Sequence, residues 1–144
     1  MRWWEQANSM ANAVYSKWKE ALINGGTNVA LNGTVKVTLV DAAAYTPNLS
    51  THQFISDVAG GARISTQTLA NKTYTLGVFD ADDVTFTAVT SGTYEYLVIW
   101  IDTGVEATSR LVALFDTATG LPVTSTGGNA IVTWDSGANK ILAL

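Results

Sequence analysis

The sequence has no cysteine, which excludes a disulfide framework, a thiolate metal site and a thiol nucleophile. It has one histidine, His52, so any Ser–His–Asp arrangement would depend on that residue, and no Gly-x-Ser-x-Gly elbow accompanies it. Phosphate loops and dinucleotide fingerprints are missing. Charged residues make up only 14% of the chain and the net charge is −4. The eight basic residues, Arg2, Lys17, Lys19, Lys36, Arg63, Lys72, Arg110 and Lys140, are scattered. Nucleic-acid binding wants them clustered, so no nucleic-acid partner is expected. No apolar run approaches the roughly 18 residues of a membrane span, and no membrane partner is expected. The first residues are aromatic and polar and do not read as a signal peptide. The sequons at Asn32, Asn48 and Asn71 therefore read as chance matches.

What is present suits a strand-built body. A chain of 144 residues fits one domain, and a domain of that size buries about 68–70% of its unfolded surface. Hydrophobic residues reach 47%, mean hydropathy is +0.17, and twenty threonines carry much of the polar surface. A weakly charged, threonine-rich, mildly apolar chain is compatible with partly buried outer surfaces, hence with assembly.

Residues Ala7 to Ile23 read as the one helix. Ala7, Met10, Ala11, Val14, Trp18, Ala21 and Leu22 recur at three- and four-residue steps, and Asn24-Gly25-Gly26 is a stop signal. Trp18 reads as the core anchor of that helix. After Gly26 the period becomes two: Val35, Val37 and Leu39 alternate with Thr34, Lys36 and Thr38. Residues 42–62 read as a long surface excursion whose Phe54, Ile55 and Val58 pack down. Strands are then expected at Ile64–Leu69, Thr73–Val78, Val84–Val89, Tyr94–Ile101, Arg110–Phe115, Ala130–Trp134 and Lys140–Leu144. Leu97–Ile101 and Leu111–Phe115 are apolar on both faces, which places them mid-sheet, covered on both sides by a second sheet, the helix or another subunit. The expected fold is mainly β, an antiparallel β-sandwich or barrel-like domain with one N-terminal α-helix. Residues 1–26 form an arm and amphipathic helix, and residues 27–144 a single β-rich domain.

Five apolar segments end in aspartate followed by small residues: Asp41, Asp80, Asp102, Asp116 and Asp135. Aspartate accepts hydrogen bonds from amides two residues on and opens an Asx-turn, so these acids read as strand punctuation. Asp80, Asp82 and Asp83 form an oxygen-rich cluster of the kind calcium prefers. They lack the glycine and glutamate of the EF-hand loop, and turn chemistry is the preferred reading. Acids placed at turns also account for themselves without glycosidase chemistry. The chain is not expected to be an enzyme, and no catalytic, cofactor or metal residue is assigned.

Aromatics are the remaining candidates for contact. Trp3 and Trp4 precede the helix, and tryptophan is enriched at interaction hot spots. Tyr94 and Tyr96 are expected on one strand face, as a sugar platform or as cross-strand packing. The interaction candidates are therefore Trp3, Trp4, Trp18, Tyr94 and Tyr96.

The stretches VYSKWKEALINGG, LNGTVKVTLVD, GVFDADDVTFTAV, TSRLVALFDTATGLPVT and NAIVTWDSGANKILAL resemble a group of small virion structural proteins of tailed bacteriophages. The resemblance runs from about Met10 to Leu144, and residues 1–9 depart from it. It implies a particle component with no catalytic motif, made in the host bacterial cytoplasm and carried on the capsid surface. The favoured role is capsid decoration, or cement: binding the major capsid protein and self-associating as dimers or trimers. Alternatives are a tail-tube, neck or head-fibre subunit, or a carbohydrate-binding module for host attachment that uses Tyr94, Tyr96 or Trp134.

Overall fold

The computed structural model describes residues 12–144. Its strands are β1 (Ala13–Val14), β2 (Val35–Val40), β3 (Arg63–Thr68), β4 (Val78–Phe79), β5 (Val84–Phe86), β6 (Gly92–Tyr94), β7 (Tyr96–Ile101), β8 (Leu111–Phe115), β9 (Val123–Ser125), β10 (Ala130–Val132) and β11 (Leu142–Ala143). Among the described residues one α-helix, α1, spans Ser16–Ile23. Every strand pair is antiparallel. A five-stranded sheet runs in the order β1-β8-β7-β2-β3, and β5 with β10, β4 with β11 and β6 with β9 form two-stranded ribbons. The fold is mainly β and sandwich-like, not a closed barrel.

The doubly apolar strands sit where their composition requires. β7 lies between β2 and β8, and β8 between β7 and β1. Leu97, Ile99 and Ile101 point into the larger apolar cluster, with Val35, Val37 and Leu39 of β2 and with Phe79, Phe86, Val132 and Trp134 from the ribbon layer. Val98 and Trp100 point the other way, into a second cluster with Tyr45, Leu49, Ile55 and Val58. The 42–62 excursion is therefore the cover of the second sheet face. Both faces are sealed by the chain itself, so the apolar character of β7 and β8 requires no neighbouring subunit. The register slips between Ile99 and Trp100, which pair with Ala113 and Leu111. This bulge turns both Val112 and Ala113 toward the larger cluster.

The helix is shorter than the periodicity predicts. Residues 7–11 lie outside the described part, and Ala13–Val14 are strand, paired with Leu114 and Ala113. Alanine and valine satisfy a three-to-four-residue stripe and a sheet edge equally well, and here the outer edge of β8 supplies the partners. α1 starts after Tyr15, with the amides of Tyr15 and Ser16 bonded to Val112 and Leu49 carbonyls. It stops where expected: Gly25 takes a left-handed φ of +74°, and the Gly26 amide returns to the Ala21 carbonyl at 2.7 Å. That is the bond of a glycine-terminated helix. Trp18 is 1% exposed within the larger cluster, so the described part of the expected arm is integrated with the sheet.

Other differences follow the same physics. The expected strand over 73–78 keeps only Val78, because Leu76 and Gly77 adopt left-handed backbone. The strand from Val84 ends at Phe86, ahead of Ala88 at φ 49°. The strand from Tyr94 to Ile101 breaks at Glu95, where the chain passes from β6 to β7. β9 has no counterpart in the sequence reading.

Candidate interaction surface

The strand-ending aspartates are bound into local structure. Asp41 accepts from the Ala43 amide (2.9 Å), Asp102 from Gly104 (2.8 Å) and Asp135 from Gly137 (3.1 Å), all Asx-turns. Asp116 accepts from the Thr117 hydroxyl. Asp80 exchanges backbone bonds with Thr73. Asp102 also receives the Lys36 ammonium at 2.6 Å. That hydrogen bond, with the Gly104 amide, holds its carboxyl below the usual range against a small desolvation effect. Of the oxygen-rich cluster, Asp82 accepts from the Asn71 side chain at 2.6 Å and Asp83 from the Trp134 amide at 2.9 Å. Among the described residues no group of three or more His, Cys, Asp or Glu side chains converges as a metal site would require.

His52 joins a partly buried polar chain. Its Nδ1 accepts from the Asn48 amide (3.2 Å) and faces the Tyr45 hydroxyl (2.8 Å), which in turn meets the Tyr15 hydroxyl at 2.9 Å. Because an amide can only donate, Nδ1 is the acceptor, which makes Tyr45 a donor to His52 and Tyr15 a donor to Tyr45. Burial is the chief cause that pushes the Tyr45 phenol up to about 12 and the Tyr15 phenol higher. This chain ties the 42–62 cover to the start of α1.

The aromatic candidates scatter. Trp3 and Trp4 lie outside the described residues. Trp18 is buried and donates its Nε1 to the Val29 carbonyl at 3.0 Å. Tyr94 sits in the larger cluster, its hydroxyl donating to the Thr90 carbonyl at 3.0 Å. Gly92 makes that corner possible, since a Cβ there would stand 2.6 Å from the Tyr94 oxygen. Tyr96 packs against the second cluster. The two tyrosines thus occupy opposite faces, because the chain changes sheets between them. Trp134 is 6% exposed and donates to the Asp82 carbonyl. Among the described residues, Trp18, Tyr94, Tyr96 and Trp134 do not come together as an open platform.

No family model matches the chain, and no curated protein matches it significantly. The surface itself is what remains to be read.

Its most unusual feature is the turn at Tyr74–Gly77. Leu76 is 95% exposed and held at φ 56°, ψ 32°. A side chain with a Cβ pays roughly 1–2 kcal/mol for left-handed backbone, and this one recovers nothing by burial. Beside it stand Tyr74, 44% exposed, and Leu144, 70% exposed. The Leu144 amide bonds the Gly77 carbonyl at 3.0 Å. Leu144 also lines a groove of about 660 Å³ whose walls include Ala13, Val14, Phe115, Ile141 and Leu142. Other exposed apolar side chains, Ile23, Val105 and Ile131, are of the isolated kind that soluble surfaces carry.

The sequence reading missed this surface. A glycine inside the expected strand over 73–78 was the one available signal for the turn. The groove joins residues about a hundred positions apart, which no local pattern encodes. A smaller polar cleft of about 140 Å³ lies by Glu20, Gln53 and Arg110. There the Arg110 Nε donates to the Thr27 carbonyl while its buried Nη1 has no partner.

Proposed function

We propose that this chain is a structural component of a tailed-bacteriophage particle, a decoration or cement protein that binds the major capsid protein lattice and stabilises the head. The observation that carries the reading is the exposed, conformationally costly Leu76 in a self-sealed β body. A rigid brick with a fixed apolar knob suits adhesion. Among the described residues, the strand-ending aspartates are occupied in turns and Trp18, Tyr94 and Trp134 in the core. A shell under internal pressure gains from contact area added across its seams. Many copies that bind only the assembled form shift the equilibrium toward it, even where each contact is modest.

The particle assignment itself comes from the sequence resemblance. The tail-tube alternative asks for a long amphipathic hairpin, whereas the longest described strands have six residues. The test is co-sedimentation of the purified chain with mature heads that lack it, together with the heat resistance of those heads. Saturable binding with a raised disruption temperature supports the reading. Absence of binding to both expanded and unexpanded heads refutes it.

A further inference from the structure

We infer that Asn32-Gly33 is a site of covalent self-modification, at which the Gly33 amide attacks the Asn32 side chain and converts it, through a cyclic imide, to aspartate and isoaspartate. The inference concerns the chain's own chemistry and stands whether or not the particle reading holds.

Two pairs of this kind occur, Asn24-Gly25 and Asn32-Gly33. A following glycine leaves the attacking nitrogen unhindered, because it carries no Cβ, and the short asparagine side chain reaches neighbouring backbone. Both asparagines are exposed, so exposure does not choose between them. Backbone geometry does. Ring closure needs the C–N bond of the asparagine swung over its own Cβ. Asn24 caps the end of α1 at ψ 9°, which sets that bond beside its own nitrogen and away from Cβ. The Asn24 amide on the Glu20 carbonyl at 3.1 Å and the Gly26 amide on the Ala21 carbonyl at 2.7 Å hold it there. Asn32 lies in the irregular turn ahead of β2. Among the described residues its side chain makes no hydrogen bond and the Gly33 amide has no acceptor. Nucleophile and electrophile are both uncommitted there.

The reaction needs water alone. Hydroxide takes the Gly33 amide proton, and the nitrogen forms a bond to the Asn32 Cγ. The Cγ–Nδ2 bond breaks, and ammonia leaves with a proton from water. Water then opens the imide. Opening at the side-chain carbonyl gives aspartate, and opening at the backbone carbonyl gives isoaspartate, whose main chain runs through Cγ. Nothing is oxidised or reduced.

The contacts of the turn give the change a consequence. The Leu31 carbonyl accepts from the Tyr74 hydroxyl at 3.0 Å, and the Gly33 carbonyl accepts from the Lys72 ammonium. Asn32 thus sits between two anchors to the segment that leads into the Leu76 turn. Isoaspartate inserts one carbon, about 1.5 Å of chain, between those carbonyls and leaves a free carboxylate beside them. The lengthened link cannot keep both anchors in place, so conversion loosens the Tyr74–Gly77 turn that holds Leu76.

Peptide-mapping mass spectrometry of the full chain, aged in mildly alkaline buffer, tests the site. The Asn32 peptide is expected to split with time into two isomers that carry an acid in place of the amide, while the Asn24 peptide stays intact. In urea, where the folded geometry is gone, both pairs should convert. Gly33→Ala should lose the reaction. A Cβ at Gly33 meets open space and its φ lies outside the left-handed range, so that variant keeps the fold. An Asn32 that stays intact, an Asn24 that converts as fast in the folded chain, or a Gly33→Ala chain that converts like wild type overturns the assignment. Ion exchange separates converted chains by their added negative charge. Their Gly77 amide, bonded to the Tyr74 carbonyl at 3.2 Å, should exchange hydrogen faster than in the unconverted chain, and equal rates overturn the link to the Leu76 turn.

Discussion

Replacing Leu76 by glycine should make the isolated chain more stable and a worse binder. Leu76 pays about 1–2 kcal/mol for its left-handed backbone. At 95% exposure it buries almost nothing, so truncation forfeits no packing. Glycine adopts this backbone freely but adds about 0.5–1 kcal/mol of chain entropy to the unfolded state. The net gain is about 0–1.5 kcal/mol, an increase in Tm of up to about 6 °C for a chain of this size. The same change removes the apolar knob. Burying a leucine contributes about 1.5–3 kcal/mol, so affinity for the surface that covers it should fall by roughly one to two orders of magnitude. Calorimetric unfolding measures the first effect and co-sedimentation with heads the second. A Leu76→Gly chain that melts lower than wild type refutes the strain argument. One that binds heads as tightly as wild type removes Leu76 from the adhesive surface.

Two further predictions concern the interior and its charges. Tyr45→Phe should cost more than Tyr15→Phe. The first leaves the buried Tyr15 hydroxyl without its acceptor, about 1–3 kcal/mol, whereas the second removes only the terminal donor, about 0.5–1.5 kcal/mol; urea unfolding midpoints give the order, and equal costs would contradict the donor chain. Asp102→Asn should flatten the acid limb of stability. The Lys36 hydrogen bond holds the folded-state pKa of Asp102 below its unfolded value, so its contribution is present above about pH 4 and is lost as pH falls through the folded-state pKa. Tm measured from pH 2 to 6 should fall less steeply in the variant, and identical slopes would show that the Lys36–Asp102 pair contributes nothing.

The legible parts of this fold are those set by local pattern. Leu97–Ile101 and Leu111–Phe115 read as doubly covered and are so, because a strand with no polar face has no other stable place. Asn24-Gly25-Gly26 ended the helix because the left-handed position belongs to glycine. Asp41, Asp102 and Asp135 opened turns because a short carboxylate reaches the amide two residues on. The failures lie where one residue type serves two geometries. Val14 fitted a helical stripe and became, with Ala13, an edge strand. Tyr94 and Tyr96 kept strand spacing while the chain changed sheets between them. Leu76 looked like a strand residue because leucine at positive φ is too rare to expect. The groove was illegible for a different reason: Val14, Phe115 and Leu142 meet only once the sheet and the C-terminal ribbon are assembled.

The most direct test of the adhesive role is an image of the intact particle encoded with this chain, at a resolution that distinguishes strands. The account predicts density for the five-stranded sheet and its ribbons on the outer capsid surface, seated across seams between capsomers, with the Leu76 turn against a neighbouring chain. Density confined to the tail or neck, or a particle that lacks this chain altogether, would contradict it.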